Sequence, residues 1–143
     1  MQAQTPMQPQ LRKYIYQKAA RSRTPVSGTF ELTPRCNMNC RMCYIRMSEE
    51  EMNARGREYT ADEWIRMGRV CAQRGMLFLL FTGGEPFLRK DFRKIYTELK
   101  KLGLLISINT NGTLIDRETV KWLREDPPMR MNVTLYGSSN DTY

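Results

Sequence analysis

Apolar residues recur along this chain in two alternating patterns: short runs that read as strands, and runs spaced three or four apart that read as amphipathic helices. Leu11, Tyr14 and Ile15, with the stem of Lys18, fall at helical spacing and predict a short surface helix between Leu11 and Ala20. A breaker cluster, Thr24 to Gly28, marks the entrance to the globular part. Thr29 to Thr33 alternates at period two and predicts a first strand, ended by Pro34. The charged stretch from Ser48 to Arg57 reads as a loop or short helical turn. Thr60 and Glu63 match a capping box, opening a helix to about Arg74 with Trp64, Met67, Val70 and Cys71 on one face and Gly75 as its stop. Met76 to Phe81 is a continuous apolar run between glycines, the signature of a parallel strand covered on both faces. A second amphipathic helix, Lys90 to Leu102, carries Phe92, Ile95, Tyr96, Leu99 and Leu102, and Gly103 stops it. Leu104 to Ile108 is a third strand, Asp116 caps a third helix through about Arg124, and Pro127 and Pro128 forbid its continuation. Met131 to Leu135 is a fourth strand.

The order is therefore strand, helix, strand, helix, strand, helix, strand. Such alternation implies right-handed βαβ crossovers, and the expected fold class is α/β with a four-stranded parallel sheet. In that architecture the C-terminal ends of all strands open onto one edge, where parallel α/β folds build their sites. The unusual stretches of this chain all follow strands: the cysteines after the first, Gly83-Gly84-Glu85-Pro86 after the second, Asn109 to Gly112 after the third, and Tyr136 to Ser139 after the fourth.

Composition narrows the function classes. The chain has 143 residues, 41% hydrophobic and 27% charged, as in an ordinary soluble domain. No apolar run approaches the ~20 residues that cross a bilayer, and the Gln- and Pro-rich start lacks the apolar centre of a secretory signal, so a cytoplasmic location is expected. Histidine is absent, which removes the commonest metal ligand and general base together. Of the net charge of +8, five units sit before Glu31 on Arg12, Lys13, Lys18, Arg21 and Arg23, with no acidic residue among them. Residues 1–26 are accordingly read as a basic, partly mobile leader and residues 27–143 as the folded body. The leader carries no nucleic-acid recognition motif, and an acidic peptide or partner suits it equally.

Three of the four cysteines, Cys36, Cys40 and Cys43, crowd into eight residues. They are too close to staple distant elements as disulfides, so reduced thiols are expected. Thiolates are soft ligands for iron–sulfur clusters, zinc or copper(I), and three on one loop can hold three corners of a cubane while the fourth iron stays open. Structural zinc is the alternative, in a non-catalytic metal-binding or interaction module. Zinc wants a fourth ligand, and the one remaining thiol, Cys71, falls inside a predicted amphipathic helix where a free Cys is small core filler. The Gly83-Gly84 pair lacks Cβ atoms that would keep a ligand from the backbone, and Glu85 adds an acceptor for an ammonium group. Asn111-Gly112 alone is a common turn pair.

The Cys-x3-Cys-x2-Cys spacing after a first strand, Gly83-Gly84-Glu85-Pro86 after a second and Thr110-Asn111-Gly112 after a third together resemble the radical S-adenosylmethionine (SAM) superfamily. The similarity runs from about Ser27 to Tyr143 and looks most like the branch that modifies peptides or protein side chains, often with a C-terminal SPASM-type extension. The resemblance implies a 4Fe–4S cluster on Cys36, Cys40 and Cys43, with SAM on the open iron. It implies that Gly83, Gly84 and Glu85 receive the methionine amine, that Asn109 and Thr134 contact ribose or carboxylate, and that Met42 packs near the adenine. An electron from a donor protein would then cleave SAM to a 5′-deoxyadenosyl radical that takes hydrogen from a substrate. Two departures stand out. Met42 occupies a position often aromatic in the family, with Tyr44 nearby. The chain also carries four of the six strands of the family's partial barrel, a fold that in full eight-stranded form needs ~200 residues. It is thus expected to be the N-terminal half of that barrel, working with a missing C-terminal half or by self-association.

Overall fold

The computed structural model describes residues 9–45 and 47–137. Residues 1–8 of the leader lie outside the described residues, as do Ser138 and Ser139 of the loop after the fourth strand and residues 140–143. The elements run α1 (Pro9–Arg21), β1 (Ser27–Glu31), α2 (Glu49–Ala54), α3 (Ala61–Gln73), β2 (Phe78–Thr82), α4 (Phe92–Lys100), β3 (Leu105–Thr110), α5 (Arg117–Glu125) and β4 (Arg130–Val133), with a short 3-10 turn at Pro86–Leu88. The four strands form one parallel sheet in the order β1-β2-β3-β4, as expected.

Right-handed crossovers are the rule for parallel βαβ units, and with each new strand added on the same side α3, α4 and α5 all cover one face. That face carries Phe30, Leu79, Phe81, Ile106 and Ile108, packed with Trp64, Ile65, Phe92, Ile95, Tyr96, Leu99, Trp122 and Leu123 from the helices. Gly68 is where α3 and α4 touch, since a Cβ there would lie 2.3 Å from a Leu99 methyl. The buried Tyr96 hydroxyl donates to the carbonyl of Asp126 at 2.8 Å, tying α4 to the turn after α5. The other face of the sheet is more polar. Thr29, Glu31, Leu80, Ser107, Asn109 and Asn132 alternate with the core residues in the parallel register.

Local signals account for most helix ends. Ser48 with Glu51 and Thr60 with Glu63 form capping boxes for α2 and α3, and Asp116 caps α5 through the Thr119 amide at 2.7 Å. Gly75 and Gly103 adopt positive φ after α3 and α4, as stop residues should.

Several expectations shift, among them the inner face of α3, where Met67 and Val70 are exposed and Ala61, Trp64, Ile65 and Gly68 are buried. Strand β1 begins at Ser27 and β2 ends at Thr82, because pairing starts where Val26 accepts from Leu77 and Phe78 (2.9 and 3.0 Å). The β2 run is not covered on both faces alike: Leu79 and Phe81 are buried under the helices, whereas Phe78 and Leu80 are half-buried on the opposite face. Helix α1 exists but turns a different side inward. Leu11 and Tyr14 are exposed, while Ala19 is buried and the Tyr16 ring stacks on Phe78 with centroids 6.0 Å apart.

Candidate functional site

Parallel pairing does not stop at the end of β1. The Leu32 amide donates to Thr82 (3.0 Å), the Gly84 amide to Thr33 (2.7 Å) and the Glu85 amide to Arg35 (2.8 Å), so backbone bonds tie the chain to the segment after β2 up to the residue before Cys36, slipped out of the strand register beyond Leu32. This is why two glycines are needed. A Cβ on Gly84 would lie 2.2 Å from the Arg35 carbonyl oxygen, and one on Gly83, whose φ is +130°, would lie 2.4 Å from that of Thr33. The close approach that the missing side chains allow is by the chain's own backbone at the entrance to the cysteine loop.

A charged network holds the other side of that entrance. Glu58 Oε1 accepts from the Thr33 hydroxyl (2.6 Å) and Arg35 Nε (2.7 Å), and Oε2 accepts from Arg35 Nη2 (3.0 Å) and Arg89 Nη1 (3.3 Å). Arg89 is buried and also forms a two-pronged pair with Asp91 (2.9 and 2.8 Å) while donating to the carbonyls of Leu32 (2.9 Å) and Tyr59 (3.0 Å). A fork-shaped guanidinium suits such a junction, where lysine's single ammonium cannot reach all partners. Burial pushes the Glu58 carboxyl up, but the bonds from Arg35 and Thr33 and the charges of Arg35 and Arg89 outweigh it and hold the group below its usual range. The hydrogen bond to Glu58 correspondingly raises Arg35.

Glu85 is fully buried. Its Oε1 accepts from the Phe87 amide (3.0 Å) and the Thr110 hydroxyl (2.9 Å), and its Oε2 accepts from the same hydroxyl (3.0 Å) and the Asn111 amide (2.8 Å). The carboxylate thus clamps the loop after β2 to the loop after β3. Asn111 in turn reaches the cysteine loop through Asn37 and Cys36.

All four cysteines are free thiols, with Cys36 and Cys43 exposed and Cys40 half-buried. A cleft of about 550 Å³ opens at this edge, lined among others by Cys36, Cys43, Gly84, Met38, Met47 and Met52. Soft thiolates on a loop beside an open, partly apolar cleft, in a chain without histidine, fit an iron–sulfur cluster. Among the described residues no three Cys, Asp or Glu side chains are gathered around a single point as one metal ion would require. A cubane places each thiolate on a different iron and asks for a wider spread. Cys71 packs against the helical core from α3, so it is not a fourth ligand here.

The remaining expected contacts divide. Met42 is exposed and does not line the cleft; Met38, Met47 and Met52 supply its apolar wall instead. Asn109 lies on the polar face, where its Oδ1 accepts from Asn132 (2.8 Å), its partner in the register. Thr134 continues β4, its amide donating to Thr110 at 3.0 Å. Glu58, Arg89, Asn37 and the side-chain role of Asn111 were not singled out from the sequence. Arg89 carried no distinguishing signal, being one of a basic pair with Lys90 ahead of α4.

Comparison with known proteins follows the same stretch. The profile of the Radical SAM superfamily matches residues 30–143. A protein named "Probable GTP 3',8-cyclase" from Methanocella arvoryzae is 36% identical over 112 residues, 78% of this chain and 34% of its own length. The PqqA peptide cyclase of Bradyrhizobium diazoefficiens is 29% identical over 113 residues, 79% of this chain and 29% of its own. The chain thus spans about a third of the length of these relatives. Among solved structures, Streptococcus suis SuiB bound to S-adenosylmethionine superposes with a TM-score of 0.61 at 23% identity, covering 80% of this chain and 26% of SuiB. SuiB bound to its precursor peptide SuiA gives 0.60 at 20%, covering 86% and 30%. At those identities the likeness is one of fold. Members of the superfamily use a 4Fe–4S cluster with SAM. Among the described residues, no helix is long and apolar enough to cross a membrane.

Proposed function

Because the chain belongs to the radical SAM superfamily, we propose that Cys36, Cys40 and Cys43 hold a 4Fe–4S cluster and that the adjoining cleft receives SAM. When bound, these groups supply reductive cleavage of SAM and hydrogen abstraction from a substrate, with the electron delivered by a separate donor. The observation that carries the reading is the cleft at the C-terminal edge of the sheet, which Cys36, Cys43 and Gly84 all line.

Within it the chain's own residues position and exclude. Gly83 and Gly84 keep the cysteine loop flush against β2, the Gly84 backbone at the cleft would take the methionine amine, and Glu85, expected from the sequence to share that role, is buried and supports it by fixing the Thr110–Asn111 turn. Asn109 and Thr134, at the ends of β3 and β4, are the polar groups available to ribose or carboxylate. Met38, Met47 and Met52 line the cleft with adaptable thioethers that exclude water. Met42, exposed and outside the cleft lining, would meet the adenine only if the loop rearranges on binding.

We assign a peptide or protein side chain as substrate, a reading supported by the likeness to a peptide cyclase and to a protein solved with its precursor peptide. A relative named for GTP cyclisation matches the same stretch, which favours placing the shared cofactor chemistry here and substrate choice in other parts of the protein. The exposed Val133 and Leu135 beside β4 are the side on which further strands, from a C-terminal half or a second copy, would complete the site. Free thiols and an oxygen-sensitive cluster suit the reducing cytoplasm.

Anaerobic reconstitution with iron and sulfide tests the core of this. About four irons per chain and an absorption change on adding SAM are expected. Stoichiometric zinc with no response to SAM would instead establish a structural metal module and overturn the proposal.

A further inference from the structure

Asn111 lies one residue beyond β3, and its backbone amide is fixed by the buried Glu85 carboxylate at 2.8 Å. Its side-chain oxygen accepts from the Thr113 amide (3.0 Å) and hydroxyl (2.7 Å). A backbone N–H can only donate, so the oxygen end of the carboxamide must face Thr113 and the NH2 end must face the cysteine loop. That NH2 donates to Asn37 Oδ1 at 2.9 Å and to Cys36 Sγ at 3.7 Å, and Asn37 Nδ2 closes a ring by donating to Thr113 Oγ1 at 2.8 Å. The Met38 amide also donates to Cys36 Sγ, at 3.4 Å. Among the described residues, Cys36 is the one cysteine of the loop whose sulfur accepts N–H donors.

An N–H aimed at a ligating thiolate stabilises the more negative state of a cluster, and hydrogen bonds to sulfur are among the determinants of cluster potential. We infer that Asn111 is a positioning residue that raises the reduction potential of the cluster through its side-chain N–H on Cys36 sulfur. The inference rests on the cluster reading above. The ring with Asn37 and Thr113 acts as the orienting device, since it leaves the carboxamide one orientation and directs its second N–H at sulfur.

The test is the midpoint potential of the reconstituted full chain, followed by EPR during anaerobic titration with dithionite as the one-electron reductant. Asn111→Asp keeps an oxygen toward Thr113 but replaces the donor with a carboxylate. It should lower the reduction equilibrium constant roughly tenfold or more, ~59 mV for one electron. Asn111→Ala, which removes the donor without adding charge, should shift it the same way by less. Iron and sulfide content, measured in parallel, separate the two layers of the argument. A wild-type chain that assembles no cluster overturns the functional reading and this inference with it. A loaded wild type whose potential is matched or exceeded by both loaded variants overturns the inference alone. Loss of the cluster from both variants would make Asn111 a structural residue and would likewise overturn it.

Discussion

The cysteine loop is held at its entrance from one side and just beyond it from another, and the two attachments are built differently. On the side of Thr33 and Arg35 the partners are charged and partly sequestered: Glu58 shares four donors, and the Arg89 side chain is only 5% exposed. On the side of Cys36 and Asn37 the partners are neutral amides and a hydroxyl, all at exposed contacts. A charged, buried attachment fixes position strongly because leaving any member unpaired is expensive. A neutral, exposed ring costs little to rearrange. The first sets where the loop starts; the second orients the first sulfur without locking it.

The most severe way to break this contrast is Arg89→Met. It removes the longest of the four bonds to Glu58, leaves Asp91 without its fork, and takes their donor from the carbonyls of Leu32 and Tyr59, and a buried acceptor left unsatisfied costs ~1–3 kcal/mol for each group. Thermal or urea unfolding of the isolated chain should show a loss of that size, and a variant as stable as wild type would remove Arg89 from the anchoring role. Gly84→Ala should come next. Its Cβ would sit 2.2 Å from the Arg35 carbonyl oxygen, and overpacking of this kind costs ~1–3 kcal/mol. Because the displaced atoms lie directly before Cys36, iron uptake should fall out of proportion to stability, a split that unfolding curves and iron assays read separately.

The gentlest probe is pH. Glu58 is held below its ordinary carboxylate range in the folded chain, so its contribution is fully present above the unfolded value of ~4.3 and is lost as pH falls through the lower folded value. Glu58→Gln should therefore flatten the acid limb of the stability profile below about pH 4 while leaving its shape near neutrality unchanged. Equal acid sensitivity in both proteins would place the titrating group elsewhere.

Much of the architecture could be read from pattern. The capping box at Thr60, the N-cap at Asp116 and the stops at Gly75 and Gly103 fall where local chemistry places them, since caps and positive-φ glycines act over a single turn. Helix α2 was legible as a charged loop or short helical turn and no more sharply, because it buries no residue and so leaves no apolar period. Helix α1 was found with the wrong inner face: Tyr16 docks on Phe78, a contact between distant parts of the chain that helical spacing cannot rank above Leu11 and Tyr14. At the site, the three cysteines and the glycine pair were visible because their chemistry is unusual in any context. Glu58, Arg89 and the Asn37–Asn111 contact were not, because ordinary polar residues gain a role only when folding joins positions 23 to 74 residues apart.

The close pass of Gly84 over Arg35 has a thermodynamic consequence for loading the site. Fixing the backbone of one residue costs ~1–2 kcal/mol in conformational entropy, and backbone bonds to the segment after β2 have already met that cost through Arg35. Beyond it, the one backbone bond within the loop's cysteine segment is that from the Cys43 amide to the Cys40 carbonyl, at 3.2 Å. Gathering the thiols is therefore a folding event in miniature, with one end of the segment ordered in advance. With a cluster on the three cysteines as proposed, affinity would be set by how little is left to order, and Gly84 would contribute to it without touching a metal.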